Sequence, residues 1–552
     1  MKDSFFRRHK ILSAFCILIL LAILLPAAFL FYRMIGPYRG YKVDFVKVGE
    51  GVQPSALEVG VSKQDITPEL SLYDTYNDIN NDNIYTPAAS DQTFLMKLAT
   101  RLGLIHPGED TYNDRNGNRK FDPVWIAGFG SNRPAKGVHD PLWARAIAFR
   151  NNGVTVSMVT LDAIGIFHEK IIDIRKMIDP ALNVDHVIVS CLHNHETPDT
   201  MGNWSGVVPT PGNFDHRHMD NIKLACKNAV EEAVRNLAPA DMYITQTEIN
   251  PEGLVDDSRK PIVIDTKLCC ARFTKVGTDE TIATMVSWGN HPETLGGDNP
   301  FLTSDFCGYW RDGVEAGVGD PNGAAGVGGM CLYFQGMVGG LMTQLHTEVP
   351  HRNGIDKFKE DSFEKAQALG ENLAILTLNT LRGAEVVKCE SPRVGVAAKT
   401  FYAPLAGLFK YAIALGLVHP GVFWREGGIA ARSEVDVVRV GDLEVATVPG
   451  ELYPEIADGG VEAKPGRDFD IPPVEVPPLR KEMKGKVNMV FGLANDEIGY
   501  ILPKSQWDVA PPYVYDNDSQ YGEENSGGPD VAPAIHRESL ALLRRMEDAW
   551  PQ

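Results

Sequence analysis

From Ile11 to Phe31 the chain reads ILSAFCILILLAILLPAAFLF, without one charged side chain. As a helix this run is long enough to cross a hydrocarbon layer of roughly 30 Å. A cleavable signal peptide has a shorter apolar stretch that ends at a small-residue cleavage site. Here Ala27 and Ala28 lie inside the run. The segment therefore reads as an uncleaved transmembrane signal anchor over residues 11–32. Residues 1–10 are then a cytoplasmic head and 33–54 a juxtamembrane linker. Charge does not orient the anchor, since Lys2, Arg7, Arg8 and Lys10 precede it and Arg33, Arg39, Lys42 and Lys47 follow. A short head with a large body behind it places that body on the non-cytoplasmic side, periplasmic or extracellular.

The body has the means to fold. The chain has 552 residues, 44% of them hydrophobic and 23% charged, which is too apolar for a disordered polymer. Its net charge of −19 repels phosphate backbones and argues against nucleic acid as a partner. The cysteines show no CxxC spacing and form no disulfide framework. Apolar β-type runs alternate with helical patterns to the end, and no second linker interrupts them, so residues 55–552 read as one mixed α/β domain. The spacing predicts strands at Val154–Leu161, His186–Leu192, Ile282–Trp288, Met330–Gln335, Leu443–Val448 and Val487–Leu493. It predicts helices at Ile222–Leu237, Phe363–Leu381 and Ala532–Trp550. The Pro- and charge-rich stretch Glu462–Met483 reads as a surface loop.

Four polar clusters follow predicted strands, where loops carry sites. They are His193-Asn194-His195, Asn290-His291-Pro292, Pro449-Gly450-Glu451 and the turn ending in Tyr500. Residues i and i+2 of a strand share a face, so the first two imidazoles can converge. Three imidazoles and a carboxylate are ligand types that zinc prefers, although a lone HxH is a weak signal. His216 and His218 form a rival HxH, flanked by Asp215 and Asp220, and read as a solvated helix cap.

Several motifs taken in order are specific together. LEVGVSKQDITPEL, GVHDPLWARAIAF, VIVSCLHNHETPD, WGNHPE, SDFCGYW, VPGELYPE, GYILPKSQW and YGEEN resemble the catalytic domain of the neutral (non-lysosomal) ceramidase family, from near Leu57 to near Tyr521. The resemblance implies zinc ligands at His193, His291, Glu451 and Tyr500. It implies a proton-handling role for His195, polarisation of the substrate carbonyl by Arg259, and oxyanion stabilisation by Tyr521. It also implies a lipid or lipid-like amide substrate, with a zinc-bound water as nucleophile.

The chain departs from that pattern in places. Gly339-Gly340-Leu341-Met342-Thr343 stands where the family has Gly-Asp-Val-Ser-Pro, and Glu196-Thr197-Pro198 replaces Ser-Gly-Pro. The first of these changes puts ceramide itself in doubt. Too few residues follow Tyr521 to build the C-terminal β-sandwich of larger members. The fold expected is thus α/β: a single mixed α/β zinc-hydrolase domain behind a transmembrane helix. Two alternatives stand beside the amidase, namely a catalytically inert lipid- or ligand-binding protein of the same fold and a zinc esterase or lactonase.

An insertion over 73–124 contains DTYNDINNDN and DTYNDRNGNRKFD. In the second copy Asp114, Asn116, Asn118 and Asp122 place oxygen ligands around a glycine turn, as calcium loops do. A plain solvated turn is the other reading. Finally, FLMKLATRLGLIHPG (Phe94 to Gly108) and LFKYAIALGLVHPG (Leu408 to Gly421) repeat one amphipathic pattern. They read as buried helices or as an apolar rim that admits an acyl chain.

Overall fold

The computed structural model describes residues 10–35, 37–50, 56–103, 105–206, 214–390, 392–407, 410–411, 421–425 and 427–551. Helix α1 (Lys10–Ile35) is followed by β1 (Asp44–Val48), β2 (Glu58–Asp65), β3 (Trp143–Asn151) and β4 (Val154–Leu161). Then come α2 (His168–Met177), β5 (His186–Cys191), α3 (His216–Arg235), β6 (Ala238–Glu248), β7 (Lys267–Lys275) and β8 (Thr281–Trp288). The chain continues with α4 (Asp305–Ala316), β9 (Met330–Gln335), α5 (Phe363–Leu381), β10 (Val394–Pro404), β11 (Val422–Arg425) and β12 (Gly428–Val440). It closes with β13 (Leu443–Thr447), β14 (Val487–Phe491) and α6 (Val531–Ala549).

The strands form two sheets. The larger has the order β9-β8-β7-β6-β2-β3-β4-β5, with Val387–Lys388 on β6. The smaller has the order β1-β10-β12-β13-β14, with β11 on β12. Val156, Met158, Phe273, Met285 and Phe334 of one meet Val396, Val438, Val445, Met489 and Phe491 of the other in one buried cluster. Phe334 and Phe491 stack there at 4.4 Å, nearly coplanar. Each such ring contributes about 1.5–3 kcal/mol by leaving water. The outer face of the large sheet is covered by α3 through Ile222, Ala229 and Ala233, and by α4 and α5 through Trp310, Leu369 and Leu373. Helix α6 covers the small sheet with Ile535, Leu542 and Met546. The result is four layers, helices outside and two sheets within.

The six predicted strands and three predicted helices all exist; the helix expected from Ile222 begins earlier, at His216, and the other ends lie close to those expected. The stretch 462–483 differs from a surface loop, because it buries Glu475, Leu479 and Met483 and makes a short turn at Leu479–Glu482. Among the described residues no helix is long and apolar enough to cross a membrane. The anchor expected over 11–32 therefore has no support from the described residues. Its run does fall in the 26-residue α1, but the side chains of 10–13, 16, 30 and 33–35 lie outside them. Of the two repeated amphipathic segments, Phe94–Arg101 is helical with Leu98 and Leu102 exposed, while most of 408–420 lies outside the described residues.

Three parallel pairs, β4/β5, β8/β9 and β13/β14, bring several strand ends to one edge of the sandwich. Gln335, ending β9, ties them together. Its Nε2 donates to Leu192 O at 2.7 Å and to Asn290 O at 2.8 Å, the residues just before His193 and His291. Cys191 N donates to Leu493 O, and Gly492 N to Gln335 O, so the two sheets are sewn together at this edge.

Candidate metal centre

Each of the four clusters named from the sequence emerges at this edge. His193 follows β5 with φ near 60°, a left-handed conformation that costs a non-glycine residue of order 1–3 kcal/mol. The turn aims its ring inward. His193 Nδ1 lies 2.8 Å from Ile164 O, and His291 Nδ1 lies 2.8 Å from Met342 O. A carbonyl can only accept, so both Nδ1 atoms carry protons and both Nε2 atoms are left to face the centre. They point at one carboxylate, with Glu451 Oε2 at 3.6 Å from His193 Nε2 and 3.1 Å from His291 Nε2. Glu451 and Tyr500 sit opposite each other in two short parallel strands, and the Tyr500 hydroxyl bonds to that carboxylate. The ligand atoms of His193, His195 and His291 all lie within 4.8 Å of one another, in a group able to hold a metal ion.

The electrostatics follow from burial against pairing. Burial pushes His193 down to about 4, against the pull of Glu451. It pushes His195 well below the ordinary imidazole value, helped by the two neighbouring histidines. Burial also opposes protonation of His291, but its bond to Glu451 and the charge of Glu293 win and lift it to about 9. Glu451 is held below its usual value despite burial, because His193, His291 and Tyr500 stabilise the anion. Cation binding at His291 Nε2 must displace a proton.

His195 is the third imidazole of this group. Its ring lies 4.9 Å from that of His193, and Phe129 packs edge-on against it at 5.1 Å. A Cβ on Gly128 would come within 2.4 Å of the same ring, so only glycine fits there. His195 Nδ1 is 3.3 Å from Glu293 Oε2, yet neither ring nitrogen completes a hydrogen bond. Glu293 closes the motif WGNHPE, from which no role for it could be read, and Gln335 carries no signal in the sequence beyond ending a strand. Thr343 bonds the Glu293 carboxylate. Met342 O accepts from both His291 N and His291 Nδ1. Glu196 is turned away from the centre, bound by Arg133 at 3.0 Å and Asn299 at 2.8 Å.

Tyr521 is 55% exposed with its ring 5.8 Å from that of Tyr500, at the mouth of the group. Arg259 lies deeper, 1% exposed, with Nη2 at 2.9 Å from Glu523 Oε1 and Nη1 at 3.7 Å from Glu455 Oε1. A second buried group able to hold a metal, His186 with Glu434 and Asp436, already contains a cation: Arg175 Nη2 is 2.6 Å from Glu434 Oε1.

The insertion is a local two-fold. Thr75–Asn77 pairs antiparallel with Thr111–Asn113, Tyr76 opposite Tyr112. Asp74 accepts from Arg115 N and Asp122 N of the second loop, while Asp110 accepts from Ile79 N and Thr86 N of the first. In the first loop Lys136 Nζ sits 2.8 Å from Asp78 and 2.7 Å from Asn83. In the second, Asp114 accepts from Asn118 N and Arg119 N, and Asn118 Nδ2 donates to Asp122 at 2.6 Å. Among the described residues no side-chain cation pairs with Asp114 or Asp122.

No family model and no curated protein matches the chain. Solved structures do, among them the two that follow. Neutral ceramidase from Pseudomonas aeruginosa superposes with a TM-score of 0.59 at 14% identity, over 90% of this chain and 75% of that one. A ceramidase complexed with C2 gives 0.58 at 13% identity, over 90% and 76%. Identity this low speaks for architecture alone, and on that ground the chain has the neutral ceramidase fold.

Proposed function

We propose that the protein is a zinc-dependent hydrolase of an amide bond in an N-acyl lipid. The observation that carries this is the pair of Nδ1–carbonyl bonds that aim His193 and His291 Nε2 at Glu451, within a fold shared with two ceramidases. Nitrogen and oxygen donors held by backbone partners are how zinc sites are oriented. His193, His291, Glu451 and Tyr500 would hold the ion, which supplies Lewis acidity and an acidified water. His195, with Glu293 beside Nδ1, is placed to pass a proton to the leaving amine. Tyr521 offers a hydroxyl at the mouth for the developing oxyanion. Arg259 is a positioning residue in this reading, since its bond to Glu523 fixes the turn that carries Tyr521.

Replacement of the family's acidic residue and serine by Gly340 and Met342 favours a substrate other than ceramide, or an inert binder. The test is metal analysis of the full chain in detergent, followed by a panel of N-acyl lipids and esters. Amide cleavage with one zinc per chain is expected. Zinc-loaded protein that cleaves nothing across the panel would give the place to the binding reading, and ester-only turnover to the esterase.

The uncharged run Ile11–Phe31 supports membrane anchoring by α1, with the hydrolase on the non-cytoplasmic side. Calcium is proposed for the second insertion loop, on Asp114, Asn116, Asn118 and Asp122. Millimolar calcium should raise the thermal midpoint of the wild type by binding only the folded state, and should leave Asp114→Ala unmoved. Equal midpoints with and without calcium in the wild type would leave a solvated turn.

A further inference from the structure

Two motifs that the metal centre does not use, Asn116–Asp122 and His216–His218, are far apart in sequence but line one cavity of about 410 Å³. That is within the ~300–1,000 Å³ of small-molecule sites. His218 is 3% exposed and lines the cavity, yet neither of its ring nitrogens has a hydrogen-bond partner among the described residues. Buried polar atoms are rarely left so, because each costs the desolvation it does not recover. The expected helix cap is only half present: Asp215 caps α3 by accepting from Arg217 N, while His218 turns inward.

The lining selects the class of ligand. Asp122, Asp199 and Asp215 disfavour an anion, and the Arg217 guanidinium is already over the Tyr73 ring at 4.6 Å. A metal held through His218 is disfavoured too, since the two buried metal-type groups among the described residues lie elsewhere. His218 and Asp215 offer an imidazole and a carboxylate, and Trp125 and Phe214 offer ring surface. An uncharged ligand with an apolar face and a rim of hydroxyls matches both. We infer that this cavity is a sugar-binding site, which takes a pyranose ring with its hydroxyls on His218 and Asp215 and its C–H face on Trp125. The sugar is either free or the headgroup of a lipid. The cavity wall makes the second source geometrically reasonable: Pro198 follows closely on His195, and it makes an isolated bridge to Ile126, two residues before Gly128.

Methyl glycosides of glucose, galactose and mannose are titrated into the full chain in a sugar-free detergent, by calorimetry and saturation-transfer NMR. Saturable binding with a dissociation constant on the order of 1 mM is expected for at least one of them. His218→Ala should weaken it about tenfold or more, with the far-UV spectrum unchanged. Asp215→Asn, which keeps the helix cap, repeats the test if His218→Ala misfolds. No saturation with any glycoside, or saturation that both variants leave unchanged, overturns the proposal. This arm needs no hydrolysis, so it stands or falls apart from the amidase reading. A second arm compares a glycosylated N-acyl lipid with its sugar-free counterpart. A rise in KM for the glycosylated lipid alone in His218→Ala identifies a headgroup, and unchanged KM for both, with glycoside binding lost, identifies a free sugar.

Discussion

Replacing His291 by alanine should remove both the bound metal and amide hydrolysis, with kcat/KM lower by about 10³-fold or more. His291 Nε2 is 3.1 Å from Glu451, and its Nδ1 is fixed by Met342 O, so the ring is held in place as one of the four proposed ligands. The loss should appear in elemental analysis as well as in turnover. His195→Ala provides the contrast: it should keep zinc and lose rate, because this ring is held by Gly128, Phe129 and Glu293 outside the proposed ligand set. If His195→Ala loses the metal while His291→Ala retains it, the ligand assignment is wrong.

Arg259→Ala should destabilise the fold by about 3–5 kcal/mol, the scale of breaking a buried ion pair from one side. The guanidinium is enclosed by Glu523, Glu455 and the face of Tyr453, whose ring lies 4.6 Å away. Burial already pushes Glu455 up to about 7 and raises Glu523, and Arg259 is what opposes that rise. Without it both carboxyls are raised further. An acid raised in the folded state contributes stability below its unfolded pKa and loses it as pH climbs through the folded value. The deficit of Arg259→Ala should therefore be small near pH 5 and grow toward pH 8. Denaturation midpoints at the two pH values check this. A variant of normal stability at both, but inactive, would mean that Arg259 touches substrate instead.

Much of the frame was legible because apolar strands announce themselves. Val154–Leu161 and His186–Cys191 are buried along their whole length and rich in Val and Ile, and nothing but a covered strand suits such runs. Strand β12 was not legible. Its middle, Arg432-Ser433-Glu434-Val435-Asp436, reads as a polar surface, yet Glu434 and Asp436 are buried because Arg175, His186 and Asn495 reach them from distant segments. Helix α4 was hidden in a similar way. Gly313 looks like a helix breaker, but a Cβ there would meet Ala374 of α5 at 2.6 Å, so the close approach of two helices requires it.

The sequence by itself determined the types of group at the centre, their order along the chain, and their place just after strands. A side chain's effect on its own backbone and on water is local, and local patterns carry it. Only the tertiary structure decided that His193, His291, Glu451 and Tyr500 meet, since that depends on the register of two sheets and on Gln335 tying their ends. It alone placed Glu293 against His195, and it turned His218 from an expected cap residue into an unpartnered cavity wall. Such pairings join residues with no sequence proximity, and their energy arises only once burial has removed the water that would otherwise satisfy each group.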